Sequence, residues 1–377
     1  LCAGPLFKAG TGVLPDKEDA HGEPKHLTVG TPHASRAVRR MARLDVRRLE
    51  GDEFHAWDAL AAGSAQGTVF HSSDWLVKNA SLQDQDLILL GCYDSEELIG
   101  GCPLFLSRPY NLLGLAISTA ALTPYGGVMM TESERAKQRA REMYADRVIT
   151  ALHEYILRQG FDYVSLVNSP GLTDIRAFTR RGWSPAIYYT HILRLHDDIL
   201  KTVSKDVRQN IRKARKQGIS STERFDPGIF WDLTVRTFSK QGKQPPVSER
   251  HLTGVLAMIR EKGIGSMRIA STSSGEIAAA EVILWDEKMA HSWSAAAAPE
   301  HLSTGAVSLL CYDIFTSLKE RDFRAINLMT GNIPRLSAFI SGFNPGLVPY
   351  YGVDYSRFRY RIFKRLQQYV YRDASPG

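Results

Sequence analysis

One pattern of residues occurs twice in this chain, about 160 positions apart, and a repeat of that length signals a duplicated structural unit. Phe161-Asp-Tyr-Val-Ser-Leu166 is answered by Phe323-Arg-Ala-Ile-Asn-Leu328. Ala177-Phe178 with Gly182-Trp183 is answered by Ala338-Phe339 with Gly342-Phe343. Short apolar strings match by chance, so the shared order and the steady offset carry the inference. The helix–Gly–aromatic ending has a mechanical reason. Glycine supplies the left-handed position past a helix end, and the aromatic folds back onto the helix.

Periodicity fills in each copy. The first has strands Leu87–Tyr93 and Leu98–Leu106 around Asp94-Ser-Glu-Glu97, helix Ser133–Gly160, strand Phe161–Val167, helix Ile175–Arg181 and strand Ile187–Leu195. The second has strands Met267–Ser271, Ile277–Trp285 and Met289–Ala297, helix Thr304–Arg321, strand Arg324–Leu328, helix Arg335–Ser341 and a short strand near Val348–Tyr351. Hairpin strands mixed with helices before a final strand predict an α/β protein with mixed, α+β-type sheets and helices on their faces.

At 377 residues the chain exceeds what one core supports, and 44% hydrophobic residues supply two. The expected division is a flexible N-terminal extension at 1–40, a first lobe at 41–197, a second lobe at 198–360 and a C-terminal helix or tail at 361–377. Residues 1–40 lack an apolar h-region, so they do not read as a secretory signal, and Met41 offers a start. Leu112–Leu122 is the longest apolar stretch and falls short of a membrane span. The formal net charge of +7 suits a polyanionic ligand, although solubility explains it as simply. Cys2, Cys92, Cys102 and Cys311 form no CxxC pair, so neither a metal site nor a disulfide scaffold is expected. Free thiols suit the cytoplasm.

The second lobe opens with Ser204-Lys-Asp-Val-Arg-Gln-Asn-Ile-Arg-Lys-Ala-Arg-Lys-Gln-Gly218. Val207, Ile211 and Ala214 form a docking stripe, and Arg208, Arg212 and Arg215 form a second row. Guanidinium forks in a row suit phosphate or carboxylate, while a solvated charged face is the competing reading.

On these residues the chain resembles the GNAT N-acetyltransferase folds, whose late helix and strand read Phe-x-x-x-Gly-Phe. Here that pattern is Phe178…Gly182-Trp183 and, one residue shorter, Phe339…Gly342-Phe343. The pairing resembles the FemAB-like acyltransferases, including their BioF-like or CelD-like branch. Phe70-His-Ser-Ser-Asp-Trp75, Gly101-Cys-Pro-Leu-Phe105, Tyr125-Gly-Gly127 and the basic helix occur in the family's order, over residues 50 to 355. The resemblance implies two tandem GNAT-like lobes side by side with a cleft between them. It implies an N-acyltransferase acting on an amine of a sugar- or peptide-containing precursor, in cell-envelope or exopolysaccharide synthesis. The co-substrate would be acyl-CoA or aminoacyl-tRNA, with no permanently bound cofactor. The partners would be an anionic small-molecule or lipid-linked precursor and, with the aminoacyl donor, tRNA. Thr304-Gly305-Ala306 stands where the family has its phosphate loop, but Leu302 takes the basic or amide position, and no heptad run supplies a coiled-coil arm.

Each site residue has two readings. Lys205 and Arg208 would touch an anionic substrate group or lie on a solvated face. Glu281 in its apolar strand is a candidate base with a raised pKa, or an edge or bulge position reaching water. Ser292 and Ser294, in His291-Ser-Trp-Ser294, offer a hydroxyl or backbone N–H to an oxyanion or thioester, whereas His291 reads as an ordinary half-buried histidine and Trp293 as core. Thr304 and Gly305 are the candidate cofactor contacts. Tyr125 precedes a glycine pair that permits close substrate approach or makes a turn. Asn327 and Asn332 follow a buried strand and line a crevice or cap a helix. Trp75 and Trp231 read as core. Two contrasting functions stay open: a non-enzymatic module binding RNA or another polyanion, and a degenerate, inactive GNAT pair.

Overall fold

The computed structural model describes residues 43–109, 112–132, 137–196 and 198–373, with side chains described as far as 367. The expected extension at 1–40, Met41 and Cys2 lie outside the described residues. The first copy runs β1 (Asp45–Arg48), α1 (Phe54–Gly63), α2 (Ser73–Gln83), β2 (Asp86–Asp94), β3 (Glu97–Ser107), β4 (Leu115–Ile117), β5 (Met129–Met130), α3 (Gln138–Arg158), β6 (Tyr163–Val167), α4 (Arg176–Thr179) and β7 (Ser184–Arg194). The second runs α5 (Ile199–Thr202), α6 (Lys205–Lys216), β8 (Ser220–Glu223), α7 (Pro227–Ser239), α8 (Glu249–Lys262), β9 (Gly265–Ser271), β10 (Ile277–Trp285), β11 (Ala290–Ala297), α9 (Ala306–Glu320), β12 (Ala325–Asn327), α10 (Pro334–Ser341) and β13 (Gly346–Ser356). Helix α11 (Phe358–Asp373) follows. Leaving aside β5, α5 and α6, the two copies have the same order of elements.

The two expected sheets join into one of 13 strands, in the order β1-β2-β3-β4-β6-β13-β7-β12-β11-β10-β9-β8, with β5 on β3. The junction is an exchange. Strand β7, the last of the first copy, pairs with β12, while β13, the last of the second, pairs with β6. The two exchanged strands pair antiparallel from Gly346↔Ile192 to Asp354↔Ser184. A cut at 197/198 therefore separates the sequence copies, while each lobe is completed in space by a strand of the other copy.

Helices cover both faces of the sheet. On one, a shared core runs across the two lobes and includes Trp57 and Trp75 of the first with Leu252, Leu256 and Trp293 of the second. On the other, α3 and α4 cover the first lobe and α6, α9 and α10 the second. The basic helix docks as its stripe requires: Val207, Ile211 and Ala214 are buried, and the Ser204 hydroxyl accepts the Val207 N–H at 3.3 Å.

The two helix–Gly–aromatic endings differ. Gly182 is left-handed (φ 81°), but Gly342 is not (φ −62°). A Cβ on Gly342 would sit 2.8 Å from Val207 Cγ2, so this glycine is small to admit α6, and Asn344 (φ 61°) takes the left-handed turn instead. Cys92, Cys102 and Cys311 are buried free thiols. No helix among the described residues is long and apolar enough to cross a membrane.

Candidate active site

Each lobe has one place where two parallel strands part. In the second lobe, β11 and β12 pair only at Ala290↔Ile326 and His291↔Asn327. Beyond that point β12 ends while β11 continues to Ala297, which opens a wedge at Ser292. A bulge in β11 lies there too, where Ser292, Trp293 and Ser294 stand opposite only Ile283 and Val282 of β10. Such bulges re-aim side chains beside active sites.

The α9 side of this strand pair carries a compact polar cluster. Glu281 sits between Ala279 and Ile283, is 4% exposed, and takes a hydrogen bond from the Ser292 hydroxyl. Cys311 of α9 approaches its other carboxylate oxygen at 3.8 Å. The edge or water-reaching reading of Glu281 is thus overturned, because β10 lies inside the sheet between β9 and β11. Burial raises the Glu281 pKa, and the hydrogen bonds from Ser292 and Cys311 only partly oppose it. Ser294, beyond the bulge, stands opposite Val282 on the other face, toward the first lobe, and its buried hydroxyl has no partner among the described residues.

The opposite side faces the first lobe. His291 is fully buried, not half-buried, and its Nε2 lies 2.9 Å from Asp286 Oδ2. That carboxylate also accepts the N–H groups of Val69 (2.9 Å), Lys288 (2.9 Å) and Met289 (3.1 Å). Lys288 Nζ donates to three first-lobe carbonyls, Ala61 (3.0 Å), Ser64 (2.8 Å) and Gly67 (2.5 Å). Burial pushes the Asp286 pKa up, but the His291 and backbone hydrogen bonds outweigh it and hold the group at about 2. Nearby His71 is held at about 3 by burial and by the Lys288 charge. Sequence reading missed this lock between the lobes. Asp286 and Lys288 look like ordinary residues of a hairpin turn, and only the fold brings Val69 to them.

Aromatic packing fills the rest of the interface. Trp75 and Trp293 meet edge to face at 5.6 Å, and their indole N–H groups reach Thr123 Oγ1 (3.0 Å) and the Leu122 carbonyl (2.8 Å). Where these side chains meet, the expected cleft between the lobes is filled. Trp75 is core, and Trp231 is partly buried against it.

The matching wedge of the first lobe, between β4 and β6, is stitched shut by its own chain. Ser118 N–H donates to the Ser165 carbonyl (2.9 Å), the Val167 N–H to Ser118 Oγ (2.9 Å), and the Gly126 N–H to the Val167 carbonyl (3.0 Å). A Cβ on Gly126 would lie 1.8 Å from the Ser118 oxygen, and one on Gly127 would lie 2.1 Å from Asn168 Oδ1. The glycine pair serves this closure. It delivers Tyr125, whose hydroxyl accepts from Asn327 Nδ2 at 3.1 Å.

The other candidates fall into two groups. Asn327 Oδ1 accepts from Thr190 Oγ1 (2.6 Å), and Asn332 accepts the Tyr189 N–H (2.7 Å) while donating to Tyr350 Oη (2.9 Å), so both brace the exchanged strands. Thr304 and Gly305 begin α9. Thr304 Oγ1 accepts the Ala306 N–H at 3.2 Å. Left-handed Gly305 lies where a Cβ would be 2.2 Å from the Asn210 oxygen of α6. Lys213 Nζ reaches the Ser303 carbonyl at 2.7 Å, so the basic helix and the positive end of α9 converge. Arg208 Nη1 is held by the carbonyls of Val203 (2.5 Å) and Leu200 (3.2 Å), whereas Lys205 is exposed.

Residues 201–334 match the family model of the acetyltransferase (GNAT) domain, and so include the wedge, Glu281 and α9. The whole described architecture is similar to the crystal structure of FemX, with a TM-score of 0.65 and 11% identity over 84% of this chain and 98% of that one. The chain has the tandem GNAT fold. A tandem GNAT protein from the clavulanic acid biosynthesis pathway shares the fold at a TM-score of 0.50 and 12% identity, over 83% of this chain and 98% of its own. So does the C-terminal domain of a candidate lysylphosphatidylglycerol synthetase from Agrobacterium fabrum, at 0.51 and 12%, over 80% and 92%. No curated protein matches the chain. Among the described residues of this tandem GNAT chain, no group of acidic, His or Cys side chains could hold a metal ion.

Proposed function

We propose that the second-lobe wedge transfers an acyl group from acyl-CoA to an amine on an anionic sugar- or peptide-containing precursor. The observation that carries this reading is the contrast between the lobes: one wedge is sewn shut by its own chain, and the strands of the other part between a buried carboxylate on one face and an unpartnered hydroxyl on the other. The amine attacks the thioester carbonyl, the tetrahedral intermediate collapses to an amide, and CoA leaves as its thiol. The proton lost by the amine passes through Ser292 to Glu281, whose raised pKa suits a proton acceptor, and returns from Glu281 to the departing CoA sulfur, which leaves as the thiol. The Ser294 hydroxyl stabilises the developing oxyanion. The start of α9, with Thr304 and Gly305, receives the donor's phosphates, as helix N-termini do. Lys205 receives the acceptor's anionic group, Arg208 fixes the helix that presents it, and Tyr125, Asn327 and Asn332 hold the strands that border the site.

The match to an acetyltransferase domain model favours acyl-CoA over aminoacyl-tRNA. The likeness to a lysylphosphatidylglycerol synthetase domain supports a cell-envelope acceptor. We place the reaction in the cytoplasm, where acyl-CoA is made, and the domain division at 197/198, between the two sequence copies. Mass spectrometry of the natively purified protein tests the donor: bound CoA species are expected. Co-purified tRNA instead, with binding that falls steeply as salt rises, would replace this reading by the polyanion-binding one.

A further inference from the structure

Helix α11 is docked by one face and left open on the other. Tyr360 is 7% exposed and stacks on Tyr163 with ring centroids 4.4 Å apart, and Phe363 packs beside it against Leu113. Around the helix from these lie Phe358, Ile362 and Leu366, which are 68%, 41% and 60% exposed. Spaced four apart, they form one stripe about 80° wide. Exposed Leu112 lies beside this helix, and its carbonyl accepts from Arg359 Nη2 at 3.1 Å. Exposed Arg361 and Arg365 border the stripe on one side and Arg359, which also pairs with Asp162 at 3.9 Å, on the other; residues 358–367 include no carboxylate of their own.

We propose that this face of α11 seats the protein on an anionic phospholipid surface. Phe358, Ile362, Leu366 and Leu112 would enter the boundary between headgroups and acyl chains, and the arginines would reach the lipid phosphates along their own apolar stems. Charge decides the occupant. A second copy seated on this stripe would bring Arg361 and Arg365 against their like, whereas an anionic bilayer neutralises them. RNA would engage the arginines but has no use for the apolar stripe between them.

The test is co-sedimentation of the full chain with vesicles of phosphatidylcholine alone and of equal parts phosphatidylcholine and phosphatidylglycerol. Binding is expected to the anionic vesicles and to weaken with salt. Phe358→Ser/Ile362→Ser/Leu366→Ser should reduce it about 30-fold, and Arg361→Gln/Arg365→Gln about tenfold. Both variants should melt with the parent because the changed side chains are exposed. A Phe358→Trp variant keeps the proposal testable if the triple variant folds poorly, since the fluorescence of the new indole should shift to the blue on adding anionic vesicles. Equal behaviour of both vesicle types, no blue shift in the Phe358→Trp variant, a dimer that dissociates in the triple variant, or binding of tRNA but not of vesicles would each overturn the proposal. The readout is binding alone, so its failure is distinct from failure of the acyl-transfer reading.

Discussion

Glu281→Gln should lower kcat about 100- to 1000-fold, the range that general acid–base catalysis contributes, and should leave KM for acyl-CoA nearly unchanged. The amide keeps the size of the carboxyl and an acceptor for the Ser292 hydroxyl, so what is removed is the capacity to take a proton. Stability should move the other way. The folded carboxyl has a raised pKa, so ionising it costs the folded state as pH rises through the ordinary value of 4.5 toward the folded one. The glutamine variant escapes that cost and should melt no lower than the parent at neutral pH. Steady-state kinetics beside a thermal melt separates the two roles. Unchanged kcat would make Glu281 a structural acid and move the proton to another acceptor.

Asp286→Ala should produce the largest loss of stability among single polar substitutions. It leaves His291 and the N–H groups of Val69, Lys288 and Met289 without their acceptor, all at the contact between the lobes. Breaking a buried charge network by removing one partner costs about 3–5 kcal/mol, and the melting temperature should fall by about 5 °C or more. Asp286→Asn, which keeps an acceptor oxygen, should lose less. Acid should act on the same contact. The Asp286 pKa, about 2 in the folded chain against an ordinary 3.8, gives stability that is present above 3.8 and lost as pH falls through 2. His71 is held at about 3 against 6.5, so the unfolded chain takes up its proton first and stability drains as pH falls below 6.5. Melts from neutral pH to pH 3 should therefore fall steadily, and His71→Gln should flatten the upper part of that slope.

The fold was legible where a short signal coincided with a long pattern. Two apolar strands around Ser273-Ser-Gly275 and the capped, striped α6 could be read directly. Helices α1, α2, α7 and α8 went unread although their starts are marked, with Ser72, Asp226-Pro227 and Ser248 at the caps of the last three. Their apolar residues serve a core shared by both lobes, so no one repeat shows a clean stripe. The strand exchange could not be read at all, because Ile187–Leu195 has the same alternation whichever neighbour it pairs with. At the site, the apolar run around Glu281 showed that a carboxylate was in an unusual place. That it is buried, with Ser292 and Cys311 as its partners, depends on the bulge at Trp293 and on α9 crossing above. Arg208 shows the reverse case, since its place in a basic row said nothing of the two carbonyls that hold its guanidinium.

The central claim is that one lobe works and the other is closed. Calorimetric titration of the intact chain with acetyl-CoA tests it most directly, run beside a Ser294→Leu variant that fills the start of the second-lobe wedge. A single site per chain, lost in the variant while its circular-dichroism spectrum stays that of the folded parent, is the predicted result. Two sites per chain, or one that Ser294→Leu leaves untouched, would contradict it.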